Sequence, residues 1–330
     1  MFTELILHEN PTLIKGFMGI PAEVFWQIVE VVTLILPEID RQRLDRPDRQ
    51  RQSGAGRECD QPVVIRVAAV LSYMRLHVPQ VAVALMYGMT QPDISRDLRR
   101  LLPAIQSALP CPEVWKLLES GQAIDAATKL TLEELADGRV LADATEQRVS
   151  RSKNSETRKE YYSGKKKQFT IKTQFVTDGE HHIKAISASV PGAEHDKTLS
   201  DKVRTVEHLP DGCELDADKG YQGLDKQVSQ VTVINPETGE QQSVSRLTVQ
   251  TPYKKPKGSE LTEEQKTFNS LLSSIRVRIE HCIGWAKNWA ILANRFRCAH
   301  SIYTSIMRTI CGLVNLQTQN WQAAKTANSA

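Results

Sequence analysis

The hydrophobic pattern of the chain changes its period near residue 136, and this change restricts the possible folds more than any other feature. Before it, apolar residues recur at helical spacing in segments 22–36, 63–78, 79–88 and 91–102. After it, segments 139–145, 168–177, 182–190 and 213–218 alternate apolar and polar residues, as half-buried strands do. A capping box at Thr262 and Gln265 opens a long helical segment that reaches residue 292.

This pattern predicts an all-α domain over residues 1–135 and an α/β domain over 136–300. A C-terminal helix and tail follow over 301–330. Residues 41–60 are predicted as a charged loop, because they combine many charges with Pro47 and two glycines. Segment 231–253 is predicted to contain a hairpin around 236–239.

Composition and charge indicate a soluble protein with local positive surfaces. The chain is 40% hydrophobic and 25% charged, and its net charge is +3. Residues 148–172 carry nine Lys or Arg against two Glu, and residues 281–330 contain no acid. Such local positive surface suits a polyanionic partner, although a solubilising face is the simpler alternative.

The cysteines and the N-terminus favour a cytoplasmic protein. The six cysteines form no C-x-x-C pair, which is typical of reduced thiols. No secretory signal opens the chain, and no apolar run approaches the roughly 20 residues that span a bilayer. We therefore expect no membrane partner. His281, Cys282, Cys298 and His300 are residue types that bind zinc, but they lack the paired spacing of zinc sites.

Segment 79–102 fits a helix-turn-helix. A short helix over 79–88 is followed by a turn and a second helix over 91–102, for which Thr90 is a good N-cap. Ile94 and Leu98 lie on the apolar face of the second helix. The opposite face carries three arginines: Arg96, Arg99 and Arg100. The same features also occur in ordinary three-helix bundles.

Acidic residues end two of the predicted strands. Asp143 follows the apolar start of segment 139–145. Glu214, Asp216 and Asp218 alternate along segment 213–218 and therefore point to one face. Like charges side by side destabilise a fold unless a cation joins them. The acids thus indicate either a solvated strand edge or a metal site.

A third acid lies on the long helix. Placed at 100° per residue, Arg276, Glu280, Gly284 and Lys287 share one narrow ridge that borders the apolar stripe. A mixed-charge solvated face is the alternative interpretation. Carboxylates on separate elements suit Mg²⁺. Two such ions about 4 Å apart support phosphoryl transfer.

Five motifs follow one another along the chain: "DATEQ" (143–147), "YYSGKKKQFTIKTQ" (161–174), "PGAEHDKTL" (191–199), "ADKGYQG" (217–223) and "TPYKKPKGSELTEEQKTFN" (251–269). With these motifs the chain resembles the DDE transposases of bacterial insertion sequences, in the branch related to Harbinger-type nucleases. The resemblance covers about residues 15–300. The Y-(2)-R-(3)-E-(6)-K signature of that family is present except that Ser273 replaces the tyrosine.

The resemblance implies an RNase H-like catalytic domain with a mixed sheet, preceded by the helix-turn-helix domain. It implies a transposase that binds the ends of its insertion sequence and performs metal-dependent strand cleavage and strand transfer. Asp143, Asp218 and Glu280 would be both the catalytic residues and the ligands of two Mg²⁺ ions, with Mn²⁺ as a substitute. The partners would be double-stranded DNA, as terminal inverted repeats and target, and further copies of the chain in a dimer or higher oligomer on the bacterial nucleoid.

The resemblance and the local charge also assign supporting roles. The residues expected to contact DNA are Arg96, Arg99, Arg100, Lys165, Lys166, Lys167, Lys254, Lys255, Lys257, Arg276 and Lys287. His195 and Asp196 are expected beside the metal site, although Asp196 could equally be a helix N-cap. Asp216 could replace Asp218 as ligand.

Several aromatic residues have two interpretations. Tyr161, Tyr162 and Tyr221 fit the core or DNA packing better than a nucleophilic role, because the implied reaction forms no covalent protein intermediate. Trp285 and Trp289 fit packing better than stacking on a displaced base, because they lie off the ridge of Glu280.

Two other functions stay open. The chain could be a domesticated DNA-binding regulator that has lost catalysis, or a nuclease that cuts without joining strands.

Overall fold

The computed structural model describes residues 1–45, 60–119, 121–234 and 240–329, which form two compact units. One unit combines Met1–Cys111 with Trp285–Ala330, and the other spans Pro112–Gly284. These limits differ from the domain boundaries predicted at residues 135 and 300. The last residues of the chain belong to the unit of the first ones, a long-range association that no local pattern reveals.

In chain order the helices are α1 (Glu4–Glu9), α2 (Pro11–Met18), α3 (Ala22–Leu44), α4 (Val63–Leu76), α5 (Gln80–Tyr87), α6 (Gln91–Arg100), α7 (Leu102–Ser107), α8 (Ser155–Tyr161), α9 (Asp196–Lys202), α10 (Thr205–His208), α11 (Glu263–Lys287), α12 (Ala290–Ala293) and α13 (Tyr303–Ser329). The strands are β1 (Glu113–Trp115), β2 (Arg139–Arg148), β3 (Tyr162–Ser163), β4 (Gln168–Asp178), β5 (Ile183–Ser187), β6 (Val190–Pro191), β7 (Glu214–Ala217), β8 (Gln230–Ile234), β9 (Gln241–Ser245) and β10 (Thr248–Gln250).

Helix α4 forms the centre of the first unit, since every residue from Val64 to Met74 is buried. Helices α2, α3, α5, α6 and α12 pack against it. Helix α3 is longer than the sequence predicted, because it continues through Pro37 to Leu44. The predicted loop over 41–60 is therefore wrong at its start, and most of the rest lies outside the described residues. Asp40 explains the extension, because it is buried in this last part of α3 and binds Arg43 and Arg100.

Helices α5 and α6 overlap the two helices that the sequence predicted over 79–88 and 91–102. Gly88 ends α5 with a φ of 64°, a left-handed conformation that glycine adopts without strain. Thr90 caps α6 and completes a capping box with Asp93. Ile94 and Leu98 are buried, as the helical spacing predicted.

The second unit is built on a mixed sheet in the order β1-β5-β4-β2-β7-β10, with β3 and β6 also paired to β4. Strands β2, β4 and β5 are antiparallel neighbours, whereas β7 runs parallel to both β2 and β10. Strands β2, β4, β5 and β7 overlap the four predicted segments. The predicted hairpin of β8 and β9 forms a separate two-stranded sheet, and its turn over 236–239 lies outside the described residues.

Helix α11 begins where the capping box predicted, with Thr262 and Gln265 exchanging hydrogen bonds of 3.1 and 3.2 Å. It ends at Lys287, so the predicted continuation to residue 292 is wrong. Trp289 instead caps α12 and is buried, with the Arg75 guanidinium 5.9 Å from its ring centroid. Packing therefore determines the position of Trp289, whereas Trp285 is 38% exposed.

Within the described ranges, no single helix is both long and apolar enough to cross a membrane. Helices α2 and α3 meet that test of length and composition only when taken as a pair, and the pair is bent by 81°.

Candidate metal centre

Asp143 and Asp218 occupy equivalent positions on two neighbouring parallel strands. Ala142 on β2 pairs in register with Ala217 on β7. Each aspartate is the next residue of its chain segment, so the two lie side by side. This adjacency follows from the parallel pairing of β2 and β7, which places Asp143 in the middle of β2 beside the residue that follows the end of β7.

Arg276 on α11 joins the two carboxylates. Its Nη2 lies 3.0 Å from Oδ2 of Asp143, and its Nη1 lies 3.4 Å from Oδ1 of Asp218. The other oxygen of Asp143 accepts the backbone N–H of Ala144 at 2.7 Å. Arg276 is buried, whereas about one third of the Asp218 side chain is exposed. The pair of acids is thus neutralised in part by one cation and is open on the side of Asp218.

The electrostatics of Asp143 reflect this crowding. Burial raises the pKa of Asp143, and the negative charges of Asp218 and Asp196 raise it further. The Arg276 guanidinium and the N–H of Ala144 oppose the rise. An added positive charge would stabilise the ionised form of a carboxylate in this environment, as a cation site requires.

Glu280 lies one turn beyond Arg276 on α11 and is exposed. Residues four apart on a helix share a face, so Glu280 lies on the face that carries Arg276. Within the described parts of the chain, no three His, Cys, Asp or Glu residues are grouped so that they could hold a metal ion. Asp143 and Asp218 are brought together, and Glu280 is not part of such a group.

Asp216 is bound to a different cation. Arg139 Nη1 lies 2.5 Å from Oδ2 of Asp216, and Arg139 Nη2 lies 2.6 Å from Oε2 of Glu214. Burial raises the pKa of Asp216 to about 6, while Arg139 opposes the rise. The alternating acids of β7 are therefore divided between two arginines, and Asp218 is the one that shares Arg276 with Asp143.

Asp196 is held beside the site by a buried lysine. Lys172 Nζ on β4 lies 2.7 Å from Oδ1 of Asp196 and 3.5 Å from Oε1 of Glu146. A Cβ atom at Gly220 would lie 2.9 Å from the other oxygen of Asp196, so only glycine fits there without displacement. The N-cap of α9 is His195 and not Asp196, so the N-cap interpretation of Asp196 is wrong. His195 is exposed.

Tyr221 has a buried hydroxyl among these acids. Its oxygen has no hydrogen-bond partner among the described residues. Burial raises the pKa of Tyr221, and Asp143, Asp196 and Asp218 add to the rise. The sequence did not reveal Tyr221 or Lys172 as neighbours of the acids. The only signal was that both lie inside the quoted motifs.

The candidate DNA contacts fall into exposed and internally paired groups. Lys165, Lys166 and Lys167 are exposed in the turn between β3 and β4, and Lys165 lies 3.9 Å from Asp196. Three further lysines are exposed before α11: Lys254, Lys255 and Lys257. Lys255 is paired with Glu260. Lys287 is half-buried in the last turn of α11.

The arginines of α6 differ in what they bind. Arg96 pairs with Asp93 of its own helix and stays largely exposed. Arg100 binds both oxygens of Asp40. Arg99 has no hydrogen-bond or ion-pair partner in the described ranges, and it lines two cavities of about 760 and 430 Å³.

Comparison with known proteins identifies the family. Residues 142–315 match the model of the DDE superfamily endonuclease domain. The chain belongs to the DDE superfamily endonucleases. The match begins one residue before Asp143 and includes Asp218 and Glu280, and it confirms the resemblance drawn from the motifs. As a member of this family the protein is a nuclease-type enzyme.

This DDE endonuclease is similar to a probable transposase for insertion sequence element IS702 from Microchaete diplosiphon. The two chains are 25% identical over 305 residues, which are 92% of this chain and 93% of the relative. No solved structure matches the chain.

Proposed function

We propose that the protein is a transposase that binds the ends of its insertion sequence, cuts the DNA strand and joins the freed 3′ end to target DNA. The observation that carries the proposal is the placement of Asp143 and Asp218 side by side within a DDE endonuclease domain. The similarity to a probable transposase over nearly the whole of both chains supports the step from nuclease to transposase.

We further propose that the catalytic domain is RNase H-like. The strand order supports this assignment, because β5, β4 and β2 form an antiparallel meander and β7 and β10 then continue the sheet in parallel. In this arrangement β2 lies inside the sheet, between β4 and β7. Asp143 therefore sits on an interior strand.

The donor set fits a divalent cation such as Mg²⁺ or Mn²⁺. Two hard carboxylates lie at one edge, and a guanidinium already occupies the place of a shared cation. Glu280 would supply the third carboxylate from the face of α11 that carries Arg276. His195 and Asp196 would support the site from beside it.

In the proposed reaction each residue has a defined task. Asp143, Asp218 and Glu280 would hold two ions, which when bound supply activation of the attacking water or 3′-hydroxyl and charge stabilisation of the leaving oxygen. Arg276 and Lys287 would hold phosphates of the DNA strand. Lys287 is seven residues beyond Glu280, roughly 10 Å along the helix, which suits a neighbouring phosphate.

DNA recognition would be divided between specific and general contacts. Arg96 and Arg99 would read base edges in the major groove from α6, and Arg100, although bound to Asp40, would lie beside the backbone. The exposed lysines 165–167 and 254, 255 and 257 would bind phosphates without regard to sequence. The chain would act as a dimer or larger assembly on the nucleoid.

The test is Mg²⁺-dependent cleavage of labelled DNA that carries the inverted repeats flanking this reading frame. Asp143→Asn, Asp218→Asn and Glu280→Gln should each abolish cleavage and leave DNA binding nearly intact. Asp225→Asn, which removes the same charge from an exposed position, is the matched control. Retained cleavage in one of the three variants would remove that residue from the proposed site.

The same assay separates the alternatives. A regulator without catalysis would bind end DNA and leave it uncut at every Mg²⁺ or Mn²⁺ concentration. A nuclease without strand transfer would cut the donor strand but give no joined product with a supercoiled target plasmid.

A further inference from the structure

We propose that Arg276 is an internal counter-ion of the metal-free site, and that it must leave Asp143 and Asp218 when a divalent ion binds there. The proposal rests on the proposed metal-dependent function of these two aspartates. It gives Arg276 a role before DNA arrives, in addition to any contact with a phosphate.

The first step is that Arg276 uses the oxygens a shared ion would need. Its two terminal nitrogens each contact one carboxylate, at 3.0 Å from Asp143 and 3.4 Å from Asp218. The remaining oxygen of Asp143 already accepts the N–H of Ala144. An ion that joins both aspartates therefore replaces the guanidinium at Oδ2 of Asp143.

The second step is electrostatic. A guanidinium a few ångströms from a divalent ion repels it, and the repulsion is large in a partly buried site where the effective dielectric constant is low. Arg276 is buried, and its guanidinium carries a permanent positive charge. It can only move, so the two cations cannot share the present geometry.

The third step concerns how firmly Arg276 is held. Its Nε atom is buried and has no hydrogen-bond partner among the described residues. The two ion pairs are thus the polar contacts that retain the side chain. A flexible side chain held by its terminal nitrogens can swing away once those contacts are replaced.

The test is Mn²⁺ binding to the full chain without DNA, measured by electron paramagnetic resonance of the free ion. We expect Arg276→Gln to lower the dissociation constant at least about tenfold, because a repelling charge is removed while both carboxylates stay. Arg276→Lys should restore most of the wild-type value. Arg278→Gln is the matched control, because Arg278 lies on the same helix but is paired with Asp137 at 3.7 Å.

A second measurement needs no substitution. In the wild-type protein, Mn²⁺ should increase the modification of Arg276 by phenylglyoxal, as counted by peptide mass spectrometry, and leave Arg278 unchanged. This readout stays informative if Arg276→Gln fails to fold. Protection of Arg276 by Mn²⁺ would contradict the proposal.

The outcomes separate this inference from the proposed function. If Mn²⁺ binding is lost in Asp143→Asn but is not tightened in Arg276→Gln, the metal site stands and the counter-ion role of Arg276 is wrong. If the wild-type chain binds no Mn²⁺, or binds it equally well in Asp143→Asn, both proposals fail.

Discussion

Breaking the buried ion pair between Arg66 and Asp97 from one side should strongly destabilise the helical unit. Arg66 on α4 contacts both oxygens of Asp97 on α6, at 2.6 and 2.9 Å, and the two side chains are only 6% and 5% exposed. Arg66→Met keeps most of the side-chain stem and removes the charge. It leaves a buried carboxylate without its cation.

The expected loss is about 3–5 kcal/mol in the free energy of unfolding, which is the usual result of breaking a buried pair from one side. The double variant Arg66→Met with Asp97→Leu should recover most of that loss, because it buries no unpaired charge. Arg96→Met is the matched control. It removes a pair with Asp93 whose arginine is 67% exposed, and it should cost less than about 1 kcal/mol.

The assay is urea unfolding followed by far-UV circular dichroism at a helical wavelength, since the unit that contains α4 and α6 is helical. Two findings would refute the reasoning. One is a loss below about 1 kcal/mol for Arg66→Met, and the other is a double variant that is no more stable than the single one. Either would mean that Asp97 finds water or another partner when Arg66 is absent.

Three further predictions concern DNA recognition and pH. Arg96→Ala with Arg99→Ala should abolish the preference for end DNA over shuffled DNA in competition binding at fixed salt, since each bidentate arginine–guanine contact contributes about 1–3 kcal/mol; a preserved preference would place recognition elsewhere. Replacing lysines 165–167 by alanine should weaken binding to all duplexes and flatten the salt dependence by about one unit of slope for each lost phosphate contact, whereas an unchanged slope would make this turn a solvated loop. His77 is buried, and burial lowers its pKa to about 4. Because the unfolded chain then binds a proton that the folded chain does not, stability should fall as the pH drops from about 6.5 to about 4, by up to about 3 kcal/mol from this group. Thermal unfolding of His77→Asn, which tolerates the left-handed φ of 48° at this position, should lack that part of the pH dependence.

The sequence correctly predicted the helices and strands that short stretches of the chain specify by themselves. Alternation located β2, β4 and β5, and the capping boxes at Thr90 and Thr262 located the starts of α6 and α11. The wrong predictions concern helix ends whose positions depend on contacts with residues far away in the sequence. Helix α3 runs past Pro37 because Asp40 gains partners from elsewhere, including Arg100, which is 60 residues away. Helix α11 stops at Lys287, where buried Trp289 begins a new turn.

The candidate site was predictable in part for the same reason. Asp143 lies within one predicted strand segment and Asp218 ends another, so both acids could be named. The sequence could not predict that the two lie side by side, because this depends on the parallel pairing of β2 and β7. Nor could it predict that Asp216, unlike Asp218, binds Arg139. Lys172 lies in an alternating strand with no local sign that its amine would be buried between Glu146 and Asp196.

The spacing of Arg276 and Glu280 explains why the acids of the site need not all meet in a metal-free chain. Three carboxylates in one place repel one another, and the pKa of Asp143 is already raised by burial and by the charges of Asp218 and Asp196. One face of α11 carries a positive and a negative group a single turn apart. Arg276 neutralises one of the two aspartate charges, and Glu280 stays exposed. If, as proposed, a divalent ion replaces Arg276, its second positive charge would cancel the remaining negative charge and remove the repulsion that Glu280 meets. The same face of the helix would then serve both states.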